Sequence, residues 1–600
     1  MSSLKDRKYK DELPLNTVNK IRKILSDLGI VTIENNWKNS AKGFCSVRVE
    51  IANTSIATNG KGTSHEYALA SAYAELMERV QNQTFFRLND TLSEDAMCYK
   101  HFYYAPDEEY LSVDDFIKRY DDWSSYQLNK INSNTDKYEI LNKWAKTSYE
   151  HTPLDFVSIP YKNLNTNKLS YIPVNMVSKI YMSNGMCAGN TFEEALIQGI
   201  SEILERHVNQ VIINEKITPP DIPRTYIQKF PKLDSMINQI ESKGNYNVIV
   251  KDCSLNQNYP VVSVIFINRD NQNYFIKFGS HPVFEISLER TLTELLQGQD
   301  ITNMMGVKEY SYKNNISDEY ENLLGILING SGYYPSEFFS SDSDYDFNEF
   351  EDNSNLNNKE MLNHIVKLLN DKNFNILVRD CSFLDFPSYH VIVPGLSEVD
   401  KFDDIDSLDD YIKYIQIKKY IKNLSSLSNQ DITDLINLIN ETSYNPNISI
   451  TQLLNLNNDN NIPWYYSSMD LFLSVLNYNQ KNLEKSYNHF NKYLKSLNPK
   501  YCNKNIINHY KCVRDYISMR ADNIDDEHIE KNLNLFYNKN SVNSVISEFK
   551  YPENILNIEY MDEYKYRYKK SYNNIHDNIY KSLKDKYILS NINQKSLSLD

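Results

Sequence analysis

The chain has 600 residues, 41% of them hydrophobic and 24% charged. This is the composition of a soluble globular protein with room for up to about four domains, and it excludes collagenous, coiled-coil and disulfide-scaffold classes. The net charge of −15 withholds the cationic field that supplies most non-specific nucleic-acid affinity, so no direct nucleic-acid partner is expected.

In chain order, residues 17–29 read as an amphipathic helix stopping at Gly29. Segment 44–58 alternates like strands and runs through Asn59-Gly60-Lys61-Gly62 into a helix over 64–83. Residues 90–150 are polar and irregular and are expected to form a surface insertion. A strand is predicted over 170–182, a glycine-bearing loop over 183–190, a helix over 191–213, strands over 246–252 and 260–267, and a helix over 284–299. The stretches 245–266 and 373–393 echo one another as strand, Asp-Cys-Ser turn, loop and strand.

All 15 glycines lie at or before Gly395. A glycine-free last third cannot be rich in tight hairpin turns or phosphate-cradling loops, so it reads as helical, and nucleotide chemistry is expected before it. Residues 340–358 and 453–461 are acidic, Asn-rich connectors, and 464–498 has the spacing of two antiparallel helices of a tetratricopeptide-like (TPR-like) pair. The expected boundaries are 1–400 for a mixed α+β domain and 401–600 for an all-α TPR-like domain.

The seven cysteines are scattered and no CxxC occurs, which fits a reduced, cytoplasmic protein and argues against zinc knuckles or a cysteine-ligated cluster. The N-terminal stretch lacks an apolar signal core, and no apolar run reaches the roughly 18 residues of a membrane span, so no membrane partner is expected.

Carboxylates on apolar helices carry the chemistry. In 68–80, Ser71, Glu75, Glu78 and Arg79 fall at i, i+4, i+7 and i+8, one helical face, between Ala68, Ala72, Leu76 and Met77. The device recurs with Asn190, Glu194, Glu202, Glu205 and Arg206, and again with Arg290, Glu294 and Gln297. One such helix alone is more simply a solvated charged face. Three of them on apolar helices point to buried carboxylates, which repel unless they surround cations. Hard divalent cations such as Mg²⁺ prefer oxygen donors and usually bring substrate phosphates, which the arginines and Lys61 would meet. The glycine segments 58–62 and 183–190 would present backbone N–H groups and helix N-termini to the anion, although Asn59-Gly60-Lys61-Gly62 reads equally as a hairpin turn. Gly199, in the middle of its helix, implies close approach of another backbone. No Walker A, Rossmann, HExxH or GxSxG pattern occurs. His207 and Cys187 read as packing residues.

These motifs resemble those of the YcaO family. The pattern S-x-x-x-E-x-x-E-R matches Ser71 to Arg79 after N-G-K-G at 59–62, a long second block matches 183–206, and F-G-x-H-P with R-x-x-T-E-L-L-Q-G matches 278–298. The resemblance implies a protein that binds ATP and Mg²⁺ and uses ATP to activate a peptide backbone amide. It places Glu75, Glu78, Glu202, Glu205 and Glu294 on Mg²⁺, and Ser71, Arg79, Asn190, Glu194, Arg206, Arg290 and Gln297 around the nucleotide. Lys10 and Thr17 fall where stand-alone members carry N-terminal ATP contacts. Azoline-forming members end in Pro-x-Pro-x-Pro, whereas this sequence ends QKSLSLD. By resemblance, the expected function is an accessory factor for methylthiolation of a small-subunit ribosomal protein, with a radical-SAM methylthiotransferase as partner and a homodimeric state. The alternatives are an enzyme forming a thioamide or azoline on a ribosomal peptide, and a non-catalytic nucleotide-sensing adaptor.

Overall fold

The computed structural model describes residues 8–599 apart from 55, 89–95, 97, 132–133, 149–153, 295–298, 300–303, 305, 314–315, 317–318, 443–447, 454–461, 498–501 and 557–569. The chain forms two compact units, Met1–Asp403 with Ile575–Asp600, and Asp404–Asn574.

The first unit is a mixed helix-and-strand fold. Helix α1 (Pro14–Asp27) opens with proline in its first turn, where the missing N–H costs nothing, and buries Thr17, Val18, Ile21 and Leu25 on one face. Strands β1 (Thr32–Ala41), β2 (Phe44–Ile51) and β3 (Ala57–Gly62) follow as an antiparallel sheet in that order. Ser64 then caps α2 (His65–Gln81) by accepting the Tyr67 N–H at 3.4 Å.

The expectation that Asn59-Gly60-Lys61-Gly62 is an anion loop is corrected here. These residues are strand, paired in register with β2, Gly60 opposite Val47 and Gly62 opposite Cys45. The glycines serve packing instead. A Cβ on Gly60 would lie 2.0 Å from the Ala68 carbonyl oxygen and 2.4 Å from the Ala72 nitrogen, so β3 rests directly on the backbone of α2.

Residues expected to be an irregular surface insertion are also different. They contain β4 (Glu109–Leu111) and helices α3 (Val113–Arg119), α4 (Asp122–Lys130) and α5 (Lys137–Lys146), the helices capped by Ser112, Asp121 and Asp136. Trp123 and Trp144 are fully buried, their indole N–H groups donating to the Tyr181 hydroxyl at 2.8 Å and the Phe402 carbonyl at 2.9 Å. Two large aromatic anchors supply a core that an averaged polar composition hides.

Next come β5 (Phe156–Asn163) and β6 (Leu169–Pro173). The strand predicted over 170–182 stops at Pro173, and 174–181 coils into helical turns that bury Val174, Val177, Ile180 and Tyr181. Then follow β7 (Met186–Ala188), α6 (Phe192–Glu215), α7 (Pro231–Lys243), β8 (Tyr246–Asp252), β9 (Val261–Asn268), β10 (Asn273–Ser280), α8 (Phe284–Glu294), β11 (Lys308–Glu309), α9 (Glu319–Asn329), α10 (Asn358–Asp371), β12 (Leu377–Asp380) and β13 (Ser388–Ile392). One antiparallel sheet has the order β11-β10-β9-β8, and another β4-β5-β12-β13-β7, with β6 on β5. The apolar residues of α6, among them Leu196, Ile200, Ile203 and Leu204, fill the core between these sheets with Val261, Ile265, Val378 and Val391.

The internal echo is structural. In both β8-β9 and β12-β13 the aspartate Oδ1 accepts the serine N–H two residues on, Asp252 from Ser254 and Asp380 from Ser382, each at 2.8 Å. The intervening Cys253 and Cys381 are buried and donate their N–H to the returning strand.

The second unit contains no strand among the described residues. Its longer helices among the described residues are α11 (Ile405–Lys422), α12 (Asn429–Glu441), α13 (Met469–Asn479), α14 (Leu483–Ser496), α15 (Lys504–Ala521), α16 (Asp526–Phe536) and α17 (Lys539–Phe549). Helices α13 and α14 clasp through Ser474 and Ser486, each hydroxyl donating to the other's carbonyl at 2.8 Å. Trp464, Phe490 and Phe549 join the core of this unit.

A tail running from 401 to 600 does not describe the division of the chain, because residues 575–600 belong to the first unit. There the last part of α18 (Lys570–Leu589) is tied down by buried polar groups. Lys584 donates to the carbonyls of Tyr103 at 3.1 Å and Tyr104 at 2.7 Å, and the Tyr587 hydroxyl accepts from Arg379 at 2.9 Å. The Gln594 amide pairs with both backbone groups of Asp380 at 2.8 and 3.0 Å. Removing one side of such buried networks leaves charges without partners.

Two outcomes follow from this packing. Gly60→Ala is expected to lower stability by about 3 kcal/mol or more, because rigid backbone blocks the new methyl group, as read from urea denaturation. A chain ending at Asp403 is expected to lose the cooperative unfolding transition of the first unit, as followed by calorimetry, because Arg379 and Lys162 lose partners they hold in the intact chain.

Candidate functional site

Three helices and two strands converge. Helix α2 contributes Glu75, Glu78 and Arg79. Helix α6 contributes Glu202, Glu205 and Arg206, and α8 contributes Arg290 and Glu294. Lys61 comes from β3 and Lys277 from β10. The spacing that put these groups on one face is realised because the opposite faces are apolar and buried. Ala68, Ala72, Leu76 and Met77 are inaccessible on α2, as are Leu196, Ile200, Ile203 and Leu204 on α6.

Gly199 sits where α6 meets the 183–190 segment. A Cβ there would come 2.9 Å from the Cys187 sulfur and 3.1 Å from the Gly185 carbonyl oxygen, so the expected close backbone approach is present. The 183–190 segment itself is not an open anion loop. Met186, Cys187 and Ala188 pair with β13, and the Gly189 N–H donates to the Pro387 carbonyl at 3.1 Å. Cys187 is fully buried, and burial holds its thiol well above the ordinary range. His207 lies edge-on to Tyr259, and burial pushes it down to about 4. Both are packing residues.

The electrostatics are those of crowded carboxylates. Arg79 pairs with Glu78 at 3.2 Å and with Glu75 at 3.8 Å, Arg206 pairs with Glu202 at 3.0 Å, and Lys61 pairs with Glu294. Burial pushes the Glu78 carboxyl up to about 8; Arg79 opposes the rise, and Glu202 and Glu75 add to it. Glu75 is raised by burial against the pull of Arg79 and Lys61, and Glu205 by burial against Lys61. Burial, together with Arg290, draws Lys61 down to about 7. The side chains still reach solvent, Glu75 with 35% and Glu78 with 12% of its side chain exposed.

A second group stands two turns earlier on α6. Lys10 pairs with Glu194 at 3.1 Å, the Asp11 N–H donates to the same carboxylate at 2.9 Å, and the Asn190 amide does so at 3.0 Å. The Thr17 hydroxyl meets the Asn190 oxygen at 2.7 Å. Burial pushes Glu194 up, but Lys10 and these donors outweigh it and hold the carboxyl below its ordinary value. His281 relates the two groups. It is buried, its Nδ1 accepts the Val283 N–H at 3.0 Å, and burial, then Arg290, then Lys10 hold it neutral.

The sequence-predicted residues therefore fall in two neighbouring groups. Lys10, Thr17, Asn190 and Glu194 form one. Glu75, Glu78, Arg79, Glu202, Glu205, Arg206, Arg290 and Glu294 form the other. Ser71 precedes Glu75 by one turn on the same face of α2. Gln297 lies outside the described residues. Lys277 and His281 were not among the predicted residues; the signal for each was a charged or titratable residue in an otherwise apolar strand segment. Pattern reading also missed Glu289, which holds Lys8 and Lys232 beside Arg290.

The donor set is hard oxygen, which suits Mg²⁺. Among the described residues no three acidic, His or Cys side chains stand close enough to form a finished metal cage. The buried Nη1 atom of Arg79 lies 3.2 Å from the Glu78 carboxylate but is not aligned to hydrogen-bond with it. Spread carboxylates and an under-satisfied guanidinium fit a cation that arrives with phosphate oxygens and water, the usual habit of Mg²⁺.

Residues 59–397 match the family model described as YcaO cyclodehydratase, ATP- and Mg²⁺-binding. An uncharacterized protein of Haemophilus influenzae is 30% identical over 393 residues, 65% of this chain and 66% of that protein. The ribosomal protein S12 methylthiotransferase accessory factor YcaO of Escherichia coli is 30% identical over 397 residues, again 65% and 66%. The matches thus span just under two thirds of each relative. Among solved structures, YcaO from Methanopyrus kandleri bound with AMPPCP and Mg²⁺ is 17% identical with a TM-score of 0.39, covering 64% of this chain and 92% of that one. A heterocyclase in complex with substrate and cofactor is 15% identical with a TM-score of 0.39, covering 64% and 52%.

The raised Glu78 gives a testable sign. Above its ordinary value of 4.5 and up to about 8, the folded chain holds a proton that the unfolded chain has released. Stability of the ligand-free protein therefore falls as pH rises through that window. Glu78→Gln, which cannot ionise, is expected to gain stability relative to wild type between pH 5 and pH 8, as read from urea midpoints. An equal difference at both pH values would contradict the burial argument.

Proposed function

The chain belongs to the YcaO family, and from that premise we propose that it binds Mg-ATP at the meeting of α2, α6 and α8 and uses it to activate a backbone amide of a ribosomal protein or peptide. The observation that carries this reading is the convergence of two E-x-x-E-R faces with Arg290 and Glu294 into one charged cluster. Bound Mg-ATP would supply the electrophilic phosphoryl group. The chain's own residues do the rest. Glu75, Glu78, Glu202, Glu205 and Glu294 are the metal donors, and their proximity is tolerable only with cations among them. Arg79, Arg206 and Arg290 face the phosphates, and Ser71 and Gln297 are assigned to the nucleotide by the family pattern. Lys10, Thr17, Asn190 and Glu194 fix the far end of the nucleotide through a network whose members already orient one another.

The physiological role we assign is that of an accessory factor for methylthiolation of a small-subunit ribosomal protein, in the manner named for the Escherichia coli relative. The helical unit serves as the partner-binding part, a TPR-like surface on which Ile506, Leu535, Phe536 and Tyr551 are exposed. A radical-SAM methylthiotransferase is the partner this role calls for, and a homodimer is the assembly we expect. No helix among the described residues is long and apolar enough to cross a membrane.

Glu75→Ala and Glu202→Ala are each expected to weaken Mg-ATP binding by more than about tenfold in titration calorimetry, the scale of a lost metal-site group. Unchanged affinity would remove these carboxylates from the site.

A further inference from the structure

Lys61 stands apart from the other cations of the site. Among the described residues, each arginine paired with a metal-candidate glutamate pairs within its own helix, Arg79 with Glu75 and Glu78, and Arg206 with Glu202. Among the described residues Lys61 makes the ion pair to a metal-candidate glutamate that joins two elements, reaching from β3 to Glu294 on α8. Its backbone cannot drift. Gly60 and Gly62 on either side press against α2, where a Cβ would fall 2.0 Å from Ala68 and 2.7 Å from Ala68 and Tyr67, respectively. Strand alternation sends the side chain between them to the opposite face. The charged groups acting on it are Glu294, Glu205 and Glu75 on one side and Arg290 and Lys277 on the other.

The charge count is informative. Five carboxylates, Glu75, Glu78, Glu202, Glu205 and Glu294, face five cationic side chains, Lys61, Arg79, Arg206, Lys277 and Arg290. With every group ionised the cluster is formally neutral before any ligand enters, and the proton that burial keeps on Glu78 makes it no more negative. A bare divalent cation would add two charges to a site already balanced, whereas a cation carried by a polyphosphate adds no net positive charge. Arg79 and Arg206 are bound to glutamates of their own helices, but lysine is a compact charge on a flexible four-carbon stem and can change partners.

We propose that Lys61 is the resident cation of the metal position, neutralising Glu294 in the ligand-free chain and so making divalent-cation binding depend on nucleotide. When the metal arrives with its nucleotide, Lys61 leaves Glu294 and turns its ammonium to the anionic oxygens. The inference rests on the Mg-ATP reading above and adds to it a reason why the site does not fill with free metal.

The test uses the full chain and Mn²⁺ as probe, read by electron paramagnetic resonance with and without AMPPCP. Wild type is expected to bind Mn²⁺ alone weakly and much more tightly with AMPPCP. Lys61→Met is expected to bind Mn²⁺ alone at least tenfold more tightly than wild type, and to narrow the gain from AMPPCP by a similar factor. Lys61→Arg, which keeps the charge, is expected to stay with wild type. Lys61→Gln asks the same question should the methionine variant fail to fold. Equal Mn²⁺ affinity in wild type and in the folded neutral variant overturns the role of Lys61 while leaving the Mg-ATP site intact. Absence of Mn²⁺ binding with AMPPCP in wild type overturns the Mg-ATP reading and the Lys61 inference together.

Discussion

Like-charge crowding in a partly buried cluster is the constraint on which this molecule turns. Carboxylates from α2 and α6 raise one another's proton affinity, and Arg79, Arg206, Arg290 and Lys61 offset the repulsion. Such an arrangement has no intrinsic stability. It persists because the apolar faces of the same helices are packed against sheets and hold the charged faces together.

The glycines make that packing possible. Gly60 lets β3 lie on the backbone of α2, and Gly199 lets α6 lie against the chain at Gly185 and Cys187. Each close approach fixes a helix whose other face carries site residues. The 183–190 segment and β3, which pattern reading offers as phosphate loops, thus position the site as strands paired with β13 and β2. The same economy explains Cys187, a thiol packed under a helix with no environment to activate it.

The C-terminal residues show a related dependence. Lys584 binds the carbonyls of Tyr103 and Tyr104, and the Tyr104 hydroxyl donates to the carbonyl of Asn82, the residue that ends α2. Gln83 donates to the same Tyr104 carbonyl at 2.7 Å. The end of the helix that carries Glu78 and Arg79 is therefore braced by residues from the far end of the chain.

Local periodicity made much of this readable. The helical spacing of Glu75, Glu78 and Arg79, its repeat at Glu202, Glu205 and Arg206, and the glycine-free helical last third follow from side-chain geometry that any isolated helix obeys. So did the Mg-oxygen chemistry, because donor type is a property of residues. Contacts between distant segments were not readable in this way. The strand character of Asn59 to Gly62, the burial of Trp123 and Trp144, the return of residues 575–600 to the first unit and the pairing of Lys61 with Glu294 each depend on where another part of the chain lies. The sequence by itself determined which groups share a face. Only the tertiary structure decided which faces meet, because burial and charge compensation are properties of packed neighbours.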